Sequence, residues 1–130
     1  MTPYRLLLSR VGLSQADAAT LHQVRLDTIK SWCAGRARAP VGVIAELRTL
    51  YARQKKAAAE ALEMISERPE VGQIELGYAV DDHEAAGMGW PCAAAQWTSL
   101  GMVVAACDRP VSLVPRGTTM ATAAAADQHL

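Results

Sequence analysis

Before Pro40 the sequence opens and closes three helices in quick succession, and this punctuation limits what the chain can build. Thr2-Pro3 is a start signal, because a proline at the first helical position lacks an N–H that would have no partner there anyway. Gly12 stops that helix just after Arg10. Ser14-Gln15-Ala16-Asp17 opens the next, expected over about residues 15–21. The Ser14 side chain can accept from orphan backbone N–H groups, and Asp17 sits where the helix dipole welcomes an acid. After a short turn Val24, Ile29, Trp32 and Cys33 share one face of a third helix, with Arg25, Asp27, Thr28, Lys30 and Ser31 opposite. Gly35 closes it in the position that favours a left-handed residue.

Arg36-Ala37-Arg38-Ala39-Pro40 is a basic connector. Beyond it Ile44, Leu47, Tyr51, Ala58, Leu62 and Ile65 recur at steps of three, four or seven, which predicts a long amphipathic helix over about 41–67. Lys55, Lys56, Glu60 and Glu63 form its wet face. Arg68-Pro69-Glu70 breaks it. Within Val71–Val80, Ile74, Leu76 and Tyr78 alternate with Gln73, Glu75 and Gly77, the period of a half-buried strand. Asp81-Asp82-His83-Glu84 and Gly87-Met88-Gly89 read as loop. Pro91 reopens a helix over Ala93–Ala106, with Trp97 and Met102 its large members, and Val111–Val114 reads as a closing strand. Past Pro115 only Met120 exceeds alanine among apolar residues before Leu130, so 115–130 is expected to be a mobile tail. The fold class is therefore mainly α: a helical bundle over 1–66 whose long helix leads to a small α+β part over 71–114.

Of the 130 residues, 51% are hydrophobic and 20% charged, enough to bury a core and too few residues for a large multi-domain enzyme. The formal net charge of zero conceals a split. Residues 1–66 carry ten Lys/Arg against five Asp/Glu, and residues 67–130 carry three against eight, so one half is built to meet an anion. Cys33, Cys92 and Cys107 are an odd number with no close pair, which indicates neither a disulfide framework nor a metal knuckle, and a cytoplasmic protein without cofactor is expected. No stretch approaches the roughly 20 apolar residues of a membrane span, and Leu6–Leu8 is too short for a signal peptide.

Function is carried by the second and third helices. The DNA major groove, about 12 Å wide, admits one helix, provided a second crosses behind it and holds it proud. Ala18 and Ala19 are small where two helices must approach, and Val24, Ile29 and Trp32 seat the third. Leu13-Ser14-Gln15, Ala18-Ala19, Val24, Thr28-Ile29, Trp32 and Gly35-Arg36 resemble the XRE-type helix-turn-helix of the lambda repressor and Cro superfamily, over about residues 1–66. Two features depart from it. His22 and Gln23 occupy a turn where many members have a glycine and one residue fewer, and Arg25 stands in place of the usual Ser or Thr cap. The turn length, the end Trp32-Cys33-Ala34-Gly35-Arg36, the long helix, the Gly89-Trp90 step and the helix opening Ala93–Gln96 resemble the YdiL-like group, which includes the anti-CRISPR-associated autorepressors. That resemblance implies a homodimer that binds an inverted repeat in its own promoter and represses a small operon; some relatives also bind the transcript.

Within this reading Arg25, Leu26, Asp27 and Ser31 face the bases: Arg bridges guanine O6 and N7, Asp accepts from cytosine N4, and Leu packs on a thymine methyl. Gln15, Gln23, Thr28, Lys30, Arg36 and Arg38 touch phosphates. His22 is read as a turn residue contacting backbone or phosphate. Ile74, Leu76, Tyr78, Trp90, Trp97, Met102, Val111 and Leu113 are the expected dimer contacts, because the alanine-rich second half has more apolar surface than it can bury alone. The same basic surface would serve a folded RNA.

Plainer readings compete. The three tryptophans are explained by core or interface packing without any base stacking. Cys33 could sense oxidation, but a free cysteine is commonly a small buried hydrophobe. Asp81–Glu84 could suggest a metal or acid–base site, yet no second His or Cys lies at ligand spacing, and no nucleophile or phosphate-binding glycine loop accompanies it. A different function class is an antitoxin, whose acidic half binds a toxin while the basic half represses the shared operon.

Overall fold

The computed structural model describes residues 1–116, and the expected tail lies, from residue 117 on, outside the described residues. The chain divides into two compact units, residues 1–54 and the remainder from Lys55. The division falls inside the long helix.

The first unit holds α1 (Pro3–Val11), α2 (Gln15–His22), α3 (Leu26–Ala34) and the first half of α4 (Val41–Ser66). Each short helix is bounded by the signals in its sequence. Thr2 Oγ1 accepts from the Arg5 amide at 3.2 Å, and Gly12 closes α1 at φ 75°. Ser14 and Asp17 form a reciprocal capping box, each side chain accepting from the other's backbone N–H. Gly35 closes α3 at φ 81°, where a Cβ would also lie 3.3 Å from Thr2 Cγ2, so conformation and space both call for glycine. The Thr2 hydroxyl serves a second helix by donating to the carbonyls of Trp32 and Cys33, which α3 leaves open at its end.

Helices of eight or nine residues are marginal alone, so burial must hold them. Tyr4, Leu8, Val11, Ala18, Ile29, Trp32, Leu47 and Leu50 form the core, with Tyr4 edge-on to Trp32 at 5.5 Å between ring centroids. Fully burying one such side chain contributes about 1.5–3 kcal/mol. The buried Gln54 amide of α4 donates to the Val11 carbonyl at 3.0 Å, tying α4 to the end of α1.

His22 corrects the sequence reading. It is the last residue of α2, not part of the turn, and its side chain is wholly buried beside Tyr4 and Trp32, with Nδ1 bonded to the Glu46 carboxylate of α4. The left-handed turn residue is Gln23, at φ 57°.

The second unit continues α4 and adds β1 (Ile74–Tyr78), α5 (Asp82–Gly87), α6 (Ala93–Ala106) and β2 (Val111–Pro115). The strands pair in parallel, from Ile74 opposite Val111 to Tyr78 opposite Pro115. A parallel pair needs a crossover, and α5 and α6 supply it. The expected loop at Asp81–Glu84 is thus mostly helix: the Asp81 carboxylate caps α5 by accepting from the Glu84 amide at 2.8 Å, and Asp82 accepts from the Ala93 amide at 2.9 Å. Arg109 fastens the other end. Its guanidinium donates to the carbonyls of Ile65 (2.7 Å), Arg68 (2.6 Å) and Val71 (2.8 Å), a cation on the open C-terminus of α4.

The Tyr4 hydroxyl is buried and has no hydrogen-bond partner among the described residues. Burial pushes its phenol well above the ordinary value of about 10, with Cys33 and Glu46 adding in the same direction. The folded state keeps a proton that the unfolded chain releases, so stability is intact below about pH 10 and falls as pH rises beyond it. Tyr4→Phe should stabilise the protein by about 1 kcal/mol at neutral pH by removing an unpaired hydroxyl, and should flatten that alkaline fall, both read from urea midpoints.

Candidate nucleic-acid interface

α3 has two unlike sides because its sequence alternates anchors and polar groups at helical spacing. Ile29, Trp32 and Cys33 are buried, with Val24 half-buried just before the helix, whereas Arg25, Leu26, Asp27 and Lys30 stand in solvent. Leu26 is 41% exposed. Thr28 and Ser31 are half-buried on the flank. The exposed face therefore combines two cations, one carboxylate and one aliphatic group on a single turn and a half of helix.

The N-terminus of α3 is open. Arg25, its exposed N-cap residue, makes no side-chain capping bond, because a guanidinium has no acceptor to offer the helix amides. The first amides to find acceptors are those of Thr28 and Ile29, both on the Arg25 carbonyl, so the preceding Leu26 and Asp27 N–H groups have no intrahelical acceptor. Gln23 precedes this end in an exposed left-handed turn, and its N–H closes α2 on the carbonyls of Ala19 and Thr20.

Gln15 is the exposed first residue of α2, and Arg36 and Arg38 are exposed on the connector after α3. Sequence reasoning missed Arg48. It lines a groove of about 450 Å³ together with Arg38, Gly35, Thr2 and Ile44, one turn of α4 beyond Ile44, and that helical spacing was the available signal. Cys33 is a buried free thiol at the base of α3.

The expected dimer contacts of the second unit scatter. Ile74 and Trp90 are buried within the unit; Leu76, Tyr78, Met102 and Val111 are half-buried; Trp97 and Leu113 are exposed by about half. Asp81 and Asp82 are occupied as helix caps, and no group of three His, Cys, Asp or Glu side chains that could hold a metal occurs among the described residues. No helix there is long and apolar enough to cross a membrane.

No protein-family model and no curated protein matches this chain.

A left-handed conformation costs a non-glycine residue about 1 kcal/mol. Gln23→Gly should therefore raise the urea midpoint by an amount equivalent to roughly 1 kcal/mol, while Gln15→Gly at the first position of α2 should not. Equal effects would show that the turn is not under this constraint.

Proposed function

We propose that the first unit is a helix-turn-helix that reads DNA with α3, and that the chain acts as a dimeric repressor on an inverted repeat, in the manner of the XRE-type and YdiL-like proteins its sequence resembles. The observation that carries this reading is the two-sided α3: a face of Ile29, Trp32 and Cys33 sunk in the core, and a face of Arg25, Leu26, Asp27 and Lys30 left exposed among the described residues. A buried seat with a bare, polar outer face is what insertion between two phosphate strands requires.

The roles follow from reach and chemistry. Arg25 presents a fork to guanine O6 and N7, Asp27 accepts from a cytosine amine, and Leu26 offers its exposed methyls to a thymine methyl. Ser31, half-buried on the flank, reaches bases only at the edge of the groove. Lys30, Gln15, Gln23, Arg36 and Arg38 meet phosphates, helped by the open amides at the start of α3, with Thr28 contributing from the flank. One such module reads too few base pairs to find an operator, so two are needed about 34 Å apart or at a multiple of that. Autorepression of a small operon is the role the resemblance adds, and a folded transcript is the natural second ligand of the same basic face.

Selection of binding sites from random duplexes tests the reading. The wild type should enrich an inverted repeat, and Arg25→Ala with Asp27→Ala should abolish the enrichment at an expected cost of about 1–3 kcal/mol per lost base contact. The three cations placed on phosphates, Lys30, Arg36 and Arg38, give a slope of roughly −3 per protomer in log affinity against log salt. Failure to enrich any duplex, or enrichment of the same repeat by the double variant, overturns the assignment.

A further inference from the structure

A trough on the first unit, beside α4, has cations at one end and apolar side chains along its length. It consists of two hollows. One, of about 450 Å³, is bordered by Arg38 and Arg48, with Tyr4, Trp32 and Ile44 among its walls. The other, of about 530 Å³, shares Pro3, Ile44 and Arg48 with the first and continues past Leu6 and Leu7 to Arg10. The three shared residues make the hollows neighbours, so Arg48 stands between them. No acidic residue among the described ones borders either hollow.

Both cations of the first hollow are unengaged. Arg38 lies in the connector after α3, Arg48 sits one turn beyond Ile44 on α4, and both are exposed. Neither makes a hydrogen bond or an ion pair among the described residues. Arg10, by contrast, is held by Tyr51: its guanidinium donates to the hydroxyl at 3.4 Å and lies 5.6 Å from the ring centroid. The carbonyls at the end of α3 would repel an anion here, but they are already occupied. The Thr2 hydroxyl covers those of Trp32 and Cys33, and the Gly35 and Arg36 amides close on that of Ser31. In the second hollow Leu6 is 57% exposed, a large aliphatic side chain left facing water beside the cations.

We propose that this trough binds a small phosphate monoester with an apolar body, the phosphate between Arg38 and Arg48 and the body along Pro3, Ile44 and Leu6. Charge selects the head. A phosphate monoester carries about −1.5 to −2 near neutral pH, which matches two guanidiniums, whereas a carboxylate or a phosphate of a nucleic-acid backbone brings one charge. The guanidinium fork also donates in parallel to two phosphate oxygens. The walls select the body. Apolar side chains keep water from beside the cations and so strengthen their pull, and hollows in the usual ligand range of about 300–1,000 Å³ have room for a ring that inorganic phosphate lacks. The consequence for DNA rests on the operator reading above: Arg38 cannot hold a backbone phosphate and this ligand together, so the ligand loosens the protein from its duplex.

Titration calorimetry of the full chain, free of DNA, tests the site with phenyl phosphate as the probe. A Kd on the order of 100 µM is expected, with inorganic phosphate and benzoate each at least about tenfold weaker. Arg38→Ala and Arg48→Ala should each weaken phenyl phosphate at least about tenfold, with far-ultraviolet circular dichroism unchanged. Arg5→Ala, which removes an exposed cation of α1 outside the trough, should leave it alone, and Leu6→Ser should narrow the gap between phenyl phosphate and inorganic phosphate. No binding up to about 5 mM, inorganic phosphate bound as tightly as its phenyl ester, or an equal loss in Arg5→Ala overturns the proposal. So does a duplex affinity that falls in Arg48→Ala while phenyl phosphate fails to bind, which assigns Arg48 to the nucleic-acid backbone instead. On the duplex that the wild type enriches, saturating phenyl phosphate should lower the salt slope by about 1 per protomer. Binding without DNA and an unchanged slope leave the site standing and take Arg38 off the operator; binding by a protein that enriches no duplex defeats the operator reading alone.

Discussion

The first unit depends on burying one side of a nine-residue helix. α3 is too short to persist in water on its own, and it exists because Ile29, Trp32 and Cys33 are buried, with α1 and α2 packed against the helix. Tyr4 closes on Trp32 from α1, and Thr2 holds the last carbonyls of α3, so the same segment fixes both the roll and the end of the helix. Everything presented on the outer face inherits its direction from that seat. A side chain on a rigid element loses less freedom on binding than one on a loop, so the exposed Arg25 and Asp27 would meet any ligand from a fixed direction.

The signals that could be read in the sequence were those in which a residue acts on its own backbone. Thr2-Pro3, Gly12, Ser14 with Asp17, and Gly35 set helix ends within a residue or two, and the alternation around Leu76 marked β1, because capping and side-chain period are local properties. The outward face of α3 was legible for the same reason. What escaped was decided by partners far along the chain. His22 looks like a polar turn residue until Glu46, on another helix, supplies its acceptor. Arg109 looks like a breaker residue, yet it reaches three carbonyls around the end of α4. α5 was the avoidable miss: Asp81 followed three residues later by Glu84 is a helix-start pattern, hidden by the polarity of the segment.

α6 shows the limit of pattern reading more sharply. A helix made almost wholly of small and apolar residues offers no contrast between faces, so sequence alone could not say which side turns inward. The choice was made by hydrogen bonding. Buried Gln96 accepts from the Ala79 amide at 3.0 Å and donates to the Gly77 carbonyl at 3.4 Å, satisfying the end of β1 from within. Once that amide is committed inward, Trp97 and Val104 must turn outward, and the oily surface follows from a polar requirement.

The parallel pairing of β1 with β2 carries a timing constraint. Ile74 cannot meet Val111, nor can the carbonyls of Ile65, Arg68 and Val71 meet Arg109, until the chain has been synthesised past both intervening helices. A ribosome therefore releases the first unit with every one of its residues already made, while β1 still waits for a neighbour. During that interval the strand's unpaired amides and carbonyls are open to any extended peptide nearby, and Glu75, its second residue, places a charge on the waiting strand.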